Sequence, residues 1–151
     1  MTTIRFIDCD EDLRARIGEV LGPVAERHVC LVGGFTLVAV EGKTPVGLLA
    51  VQERQLPEPL KNVTEGFINI IEVDKGHRRQ GLGRQLVEGA MSRCRQLGLH
   101  QIRAWSSEDK TQALSLWKAL GFTLSPAVEH HPSVEVRGFF ATRLLEDRTE
   151  R

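Results

Sequence analysis

Val73-Asp74-Lys75-Gly76-His77-Arg78-Arg79-Gln80-Gly81-Leu82-Gly83-Arg84 decides how this chain is read. The apolar run Gly66-Phe67-Ile68-Asn69-Ile70-Ile71-Glu72-Val73 leads into it, as a strand covered on both faces. A long amphipathic helix leads out. Its stripe holds Leu82, Leu86, Ala90, Cys94 and Leu97, with Arg84, Gln85, Glu88, Arg93 and Arg95 elsewhere, and Gly98 stops it. Gly81 and Gly83 allow a ligand close to the backbone, while the N–H groups of the first helical turn and its positive dipole end attract anions. Arg78, Arg79 and Arg84 add full charges, so the junction reads as a phosphate cradle.

Toward the carboxyl end, Leu99-His100-Gln101-Ile102-Arg103-Ala104-Trp105 is the next strand. A helix joins it to its predecessor, so the two are expected to run parallel. Ser107, Glu108 and Asp109 offer caps for a helix carrying Ala113, Leu116, Trp117 and Leu120 and ended by Gly121. Phe122, Val134, Val136, Phe139 and Phe140 suggest two more strands, separated by residues 126–132, and the charged tail 146–151 is expected to fray. Trp105 reads as core.

Toward the amino end, Ile4-Arg5-Phe6-Ile7 reads as a first strand, and Asp8 or Asp10 caps a helix through Leu13, Ile17, Val20 and Leu21 that Gly22-Pro23 ends. Residues 35–40 and 46–51 form a hairpin. Leu56-Pro57-Glu58-Pro59-Leu60 is a surface loop, since its prolines exclude a central strand. Antiparallel connections around one strand–helix–strand unit make an α+β fold, a single domain over 1–145.

Bulk properties bound the function. Lysine plus arginine and aspartate plus glutamate number 20 each, so no global field draws in nucleic acid, and anion binding must be local. No apolar run is long enough to span a bilayer, and residues 1–5 do not resemble a secretory leader. Cys9, Cys30 and Cys94 are far apart and form no metal-ligand pattern, so reduced thiols, a cytoplasmic setting and no metal are expected. His130-His131 lacks a third ligand and reads as a surface loop, with a place beside an acceptor as the other reading.

Two phosphate-binding motifs fail here. A dinucleotide fingerprint requires Gly or Ala three residues after Gly83, where Leu86 stands, and a P-loop requires Gly-Lys-Ser/Thr after the turn. What Arg78-Arg79-Gln80-Gly81-Leu82-Gly83 resembles is the Arg/Gln-x-x-Gly-x-Gly/Ala signature of the GNAT N-acetyltransferase superfamily. Ile70-Ile71-Glu72-Val73 is similar to that family's bulged fourth strand. Ala113-Leu114-Ser115-Leu116-Trp117-Lys118-Ala119-Leu120-Gly121-Phe122 is similar to its fourth helix and closing Gly-Phe. The resemblance covers residues 67–122.

The resemblance implies a layered α/β/α fold with about four helices and a mixed, mostly antiparallel sheet of six to seven strands, splayed between strands 4 and 5. It also implies acetyl-coenzyme A as acyl donor, with its pyrophosphate on Arg78, Arg79, Gln80, Gly81, Leu82, Gly83 and Arg84. The pantetheine arm would bond to the backbone near Ile71 and Val73. Lys110 stands where the family often has asparagine, and either reaches the phosphates or is solvated. The acetyl group would pass directly to a primary amine of a small molecule or peptide, with Glu72, Asn69 or Glu65 taking the proton or orienting its water. Strict alternation would put Asn69 on the face opposite Glu72.

Many members carry a tyrosine where Trp117 stands, and this chain has none. An indole N–H donates but does not release a proton near neutrality, so Trp117 either lines the sulfur end of the cleft or only packs. Three function classes follow: amine acetylation, a non-catalytic acetyl-coenzyme A sensor, and a phosphate-reading interaction domain, which zero net charge disfavours. No membrane or nucleic-acid partner is expected, and a homodimer is the default assembly.

Overall fold

The computed structural model describes residues 3–145, and the charged segment 146–151 lies outside them. Seven strands form one sheet: β1 (Ile4–Asp8), β2 (Gly34–Glu41), β3 (Thr44–Gln55), β4 (Thr64–Val73), β5 (Gln101–Ser107), β6 (Thr123–His131) and β7 (Val134–Leu144), in the spatial order β1-β2-β3-β4-β5-β7-β6. All neighbours are antiparallel except β4 and β5, the pair joined through a helix. The helices are α1 (Glu11–Leu21), α2 (Pro23–His28), α3 (Leu82–Gln96) and α4 (Thr111–Ala119).

Period-two patterning feeds two cores. Phe35, Leu37, Leu49, Val51 and Ile68 meet Leu86, Val87, Ala90, Met91 and Cys94 of α3 on one face, joined by Ile102, Ala104 and Trp117. On the other face Val38, Val40 and Leu48 meet Ile17 of α1 and Ala25 of α2. The result is a helix–sheet–helix sandwich.

Several local expectations change. Asp10, not Asp8, caps α1, accepting from the Leu13 N–H at 2.8 Å. Gly22-Pro23 ends α1 and at once starts α2, because proline's fixed φ and missing N–H suit a first helical turn. Pro126 lies within β6 rather than in a loop. That strand is the sheet's edge, where a missing N–H breaks no ladder, so the turn shrinks to residues 132–133. None of Ser107, Glu108 or Asp109 caps α4, which begins after Lys110 without a side-chain cap; the Ser107 hydroxyl instead donates to Asp109. Trp105 is not in the core. Ile102, Ala104 and Ser106 alternate inward on β5, leaving Trp105 half-buried on the opposite face, 5.3 Å from Phe140.

Candidate functional site: a split sheet and the turn above it

β4 and β5 pair only through Glu65–Gln101, Gly66–Ile102, Phe67–Arg103 and Ile68–Ala104. Beyond that seam the strands part, although β4 continues to Val73 and β5 to Ser107. The cause is one inserted residue. Ala50 of β3 pairs with Ile70 while Val51 pairs with Ile68, leaving Asn69 without a partner. Such a bulge bends its strand and raises its twist, carrying residues 69–73 away from β5.

The bulge also resets the faces of β4. Ile68 and Ile71 pack into the same core although an odd number of residues apart, so the strict alternation that set Asn69 opposite Glu72 does not apply. Past the bulge Ile70 packs toward α1 and α2, and alternation gives Glu72 that same face. Glu72 and Asn69 are both half-buried, and neither side chain is hydrogen-bonded or ion-paired to another described residue.

Backbone direction follows from one bond. The Asp74 N–H donates to the Val46 carbonyl of β3 at 2.8 Å. Antiparallel groups alternate sides, so the N–H and C=O of Val73 and Ile71 point away from β3, into the split. The Val73 carbonyl there accepts from Arg78 Nε at 3.1 Å.

A single 3₁₀ turn, Lys75–His77, links the split to α3 and is tightly braced. Asp74 accepts from the Gly76 N–H, and His77 lies between two carboxylates: Nδ1 is 3.0 Å from Asp74 Oδ2 and Nε2 is 3.3 Å from Glu41 Oε1. The hydrogen bond that His77 donates to Asp74, followed by that to Glu41, raises the imidazole's pKa against its partial burial, and the His77 contact lowers that of Asp74.

The chain then enters the left-handed region twice, at Arg79 (φ 65°) and Gly81 (φ 78°). Gly81 caps α3 without any side-chain bond, and the N–H groups of Gly81, Leu82, Gly83 and Arg84 find no acceptor among the described residues. A left-handed residue before a helix start gathers such N–H groups into an anion-sized concavity. Arg78, Arg79 and Gln80 are exposed around it, as is Arg84, whose guanidinium is 3.7 Å from Glu88. Leu82 anchors the turn in the core beside Ala39 and Val46. The donor set fits a diphosphate. Lys110 is exposed at the start of α4, and the structure gives it no side-chain bond.

Two other candidates are engaged within the fold, Glu65 against expectation and Trp117 in a packed position. Glu65 is not a spare base: it is 1% exposed, accepts from Arg103 at 3.0 and 2.7 Å and from Gln101 at 2.8 Å, and so ties the closed end of the seam. Trp117 is 1% exposed with its ring 5.1 Å from that of Phe122, and its Nε1–H donates to Ser106 Oγ at 3.0 Å. Sequence reasoning passed over Ser106; its inward alternation with Ile102 and Ala104 was the signal available. His130 and His131 stand at the β6–β7 tip, 3.4 Å from Glu135 and 3.5 Å from Glu129. No described helix is long and apolar enough to cross a membrane.

Comparison with known proteins agrees with this geometry. The mycothiol acetyltransferase of Geodermatophilus obscurus is 34% identical over 58 residues, 38% of this chain and 19% of that protein. That of Thermobispora bispora is 36% identical over 58 residues, 38% of this chain and 20% of that protein. The matched part of the chain thus spans only about a fifth of the length of these curated relatives. Among solved structures, Arabidopsis thaliana NAA60 in complex with a bisubstrate analogue superposes with a TM-score of 0.79 at 12% identity, covering 94% of this chain and 98% of that one. The structure of yncA from Salmonella typhimurium with acetyl-CoA gives 0.72 at 20%, covering 97% and 96%. At these identities the likeness concerns the fold. The model of the acetyltransferase (GNAT) family matches residues 9–122, taking in the split, the turn and α4 alike. The chain belongs to that family, whose acyl donor is acetyl-coenzyme A.

Proposed function

We propose that this protein transfers the acetyl group of acetyl-coenzyme A directly to a primary amine on a small molecule or peptide. The observation that carries the reading is the pairing of two unfilled hydrogen-bonding surfaces: the N–H groups of residues 81–84, and the Ile71 backbone and Val73 N–H turned into the split, beside a Val73 carbonyl already bonded to Arg78. The first suits the pyrophosphate, with Arg78, Arg79, Gln80 and Arg84 around it and the exposed Lys110 at the start of α4 as a further candidate phosphate contact. The second suits an extended amide-bearing arm that adds itself as a strand. The Val73 N–H is then the donor for the thioester oxygen, a one-bond oxyanion site.

The acceptor nitrogen must be neutral to attack. Glu72, on the α1/α2 face beside the bulge and without an ion-pair partner among the described residues, is the group we assign to take the proton, directly or through water, with Asn69 orienting that water. Three free cysteines, none bonded to another, support a reducing cytoplasmic setting.

Isothermal titration with acetyl-coenzyme A followed by thiol release over a panel of amines tests the assignment. Binding with amine-dependent release is the expected result. Binding without release for any amine supports a sensor of the same fold, the reading that the missing tyrosine favours, and no binding at millimolar donor overturns both.

A further inference from the structure

We propose that the Ser106 hydroxyl holds the sulfur of the leaving coenzyme A, and that Trp117 positions it; the inference rests on the acetyl-transfer reading above. Ser106 is two residues past Ala104, the last β5 residue paired with β4, so it stands on the wall of the split where that wall first becomes free. It is 7% exposed and turned toward α4.

Its oxygen accepts the Trp117 N–H at 3.0 Å. Indole only donates, so this bond fixes the serine as acceptor toward the core and leaves the hydroxyl's own proton to give away. Among the described residues nothing receives that proton. A buried hydroxyl held by a rigid ring, with an uncommitted proton two residues past the end of the β4–β5 seam, is a preorganised donor. The chain contains no tyrosine to fill that role.

The chemistry balances without moving the serine proton. The amine nitrogen attacks the thioester carbon, the C–N bond forms, and the C–S bond breaks with its electron pair going to sulfur. The nitrogen's proton leaves through Glu72 to solvent. Sulfur departs as a thiolate, since a thiol of pKa about 8.5 needs stabilisation rather than a strong acid. The Ser106 O–H supplies it as a charge-assisted hydrogen bond, and Trp117 keeps the hydroxyl from rotating away.

The test uses the intact protein and needs no acceptor. Ionisation of the thiol of bound coenzyme A is followed by thiolate absorbance against pH, with desulfo-coenzyme A as blank, for the wild type and for Ser106→Ala, Ser106→Thr and Trp117→Phe. Loss of one hydrogen bond to a charged sulfur is expected to raise the thiol's midpoint in Ser106→Ala by about one pH unit or more, with restoration in Ser106→Thr. Trp117→Phe should shift it the same way by less, with acetyl-coenzyme A affinity retained. With a competent acceptor, Ser106→Ala should lose about 10-fold or more in kcat at nearly constant KM for the donor. Identical thiol midpoints in the wild type and Ser106→Ala would overturn the proposal while leaving acetyl transfer standing. Failure of the wild type to bind coenzyme A would overturn both.

Discussion

Glu65 and Arg103 lock β4 to β5 at the base of the split, through a carboxylate that is 1% exposed and a guanidinium that meets both its oxygens. Arg103 also lies over the rings of Phe67 and Phe140, at 5.3 and 4.6 Å. Removing one partner of such a pair strands a buried charge. Arg103→Ala is therefore expected to destabilise the fold by about 3–5 kcal/mol, and Arg103→Met with Glu65→Leu to recover most of that, as read by urea denaturation. Equal losses in single and double variants would show that the packing of Arg103, not its charge, holds the seam.

The brace at His77 has a signed pH dependence. Its raised pKa means that its contribution is complete below the ordinary value of 6.5 and fades as pH rises through the folded value. Asp74 works the other way: its lowered pKa keeps its contribution above the ordinary 3.8 and loses it as pH falls through the folded value. The turn is held by both charges between these limits. Imidazole NMR should place the His77 midpoint above 6.5, and His77→Gln should weaken acetyl-coenzyme A several-fold at pH 6 with a smaller penalty at pH 9. A midpoint below 6.5 would remove the two-carboxylate account.

Gly81 and Gly83 separate conformation from space. A methyl group at Gly81 meets nothing within 4 Å, but the residue sits at φ 78°, so Gly81→Ala should cost about 1–2 kcal/mol through backbone strain alone. Gly83 is helical, and its added Cβ lies at an ordinary 3.5 Å from Leu116 Cδ2. Gly83→Ala should leave the melting temperature unchanged or slightly raised. Both should weaken the donor in titration calorimetry if phosphates approach this backbone, and an unaffected affinity in Gly83→Ala would move the phosphates elsewhere.

Glu72→Gln keeps shape and removes the charge. Acetyl-coenzyme A affinity should stay within about two-fold, while turnover with a lysine-like amine falls by about 10²-fold or more at neutral pH. An α-amine, of which about half is already neutral near pH 8, should suffer less. Equal losses on both amines would assign Glu72 to binding instead.

The cysteines should be quiet. Burial lifts the Cys9 thiol to about 11 and Cys94 to about 12, and raises Cys30 as well, so little thiolate exists at neutrality. Iodoacetamide at pH 7 should label the native protein slowly and all three thiols rapidly in urea. Rapid native labelling of Cys94 would contradict its place in the α3 core.

Much of this was legible because it is local. A glycine-punctuated turn between a continuous apolar run and a 3.6-period run has few solutions, and residues 66–98 form the expected strand, turn and helix. Other features depend on neighbours that spacing does not report. Whether Pro126 breaks a strand depends on β6 being an edge, and whether Asn69 bulges depends on register with β3. Glu65 reads as a spare acid from its own surroundings in the chain, and its partner Arg103 lies 38 residues away, on the neighbouring strand. Ser106 carries no pattern beyond alternation, and only the Trp117 contact distinguishes it.

The seam between β4 and β5 is four residue pairs long, and the remainder of both strands stays apart. The sheet is therefore two ribbons, β1–β4 and β5–β7, spliced at one end. A molecule built this way leaves ladder bonds unmade in its own native state, and a guest of the right length completes them. In the proposed reading the donor takes the place of the missing strand, so substrate and scaffold are not separate categories, and amide exchange along residues 71–73 should slow when it arrives.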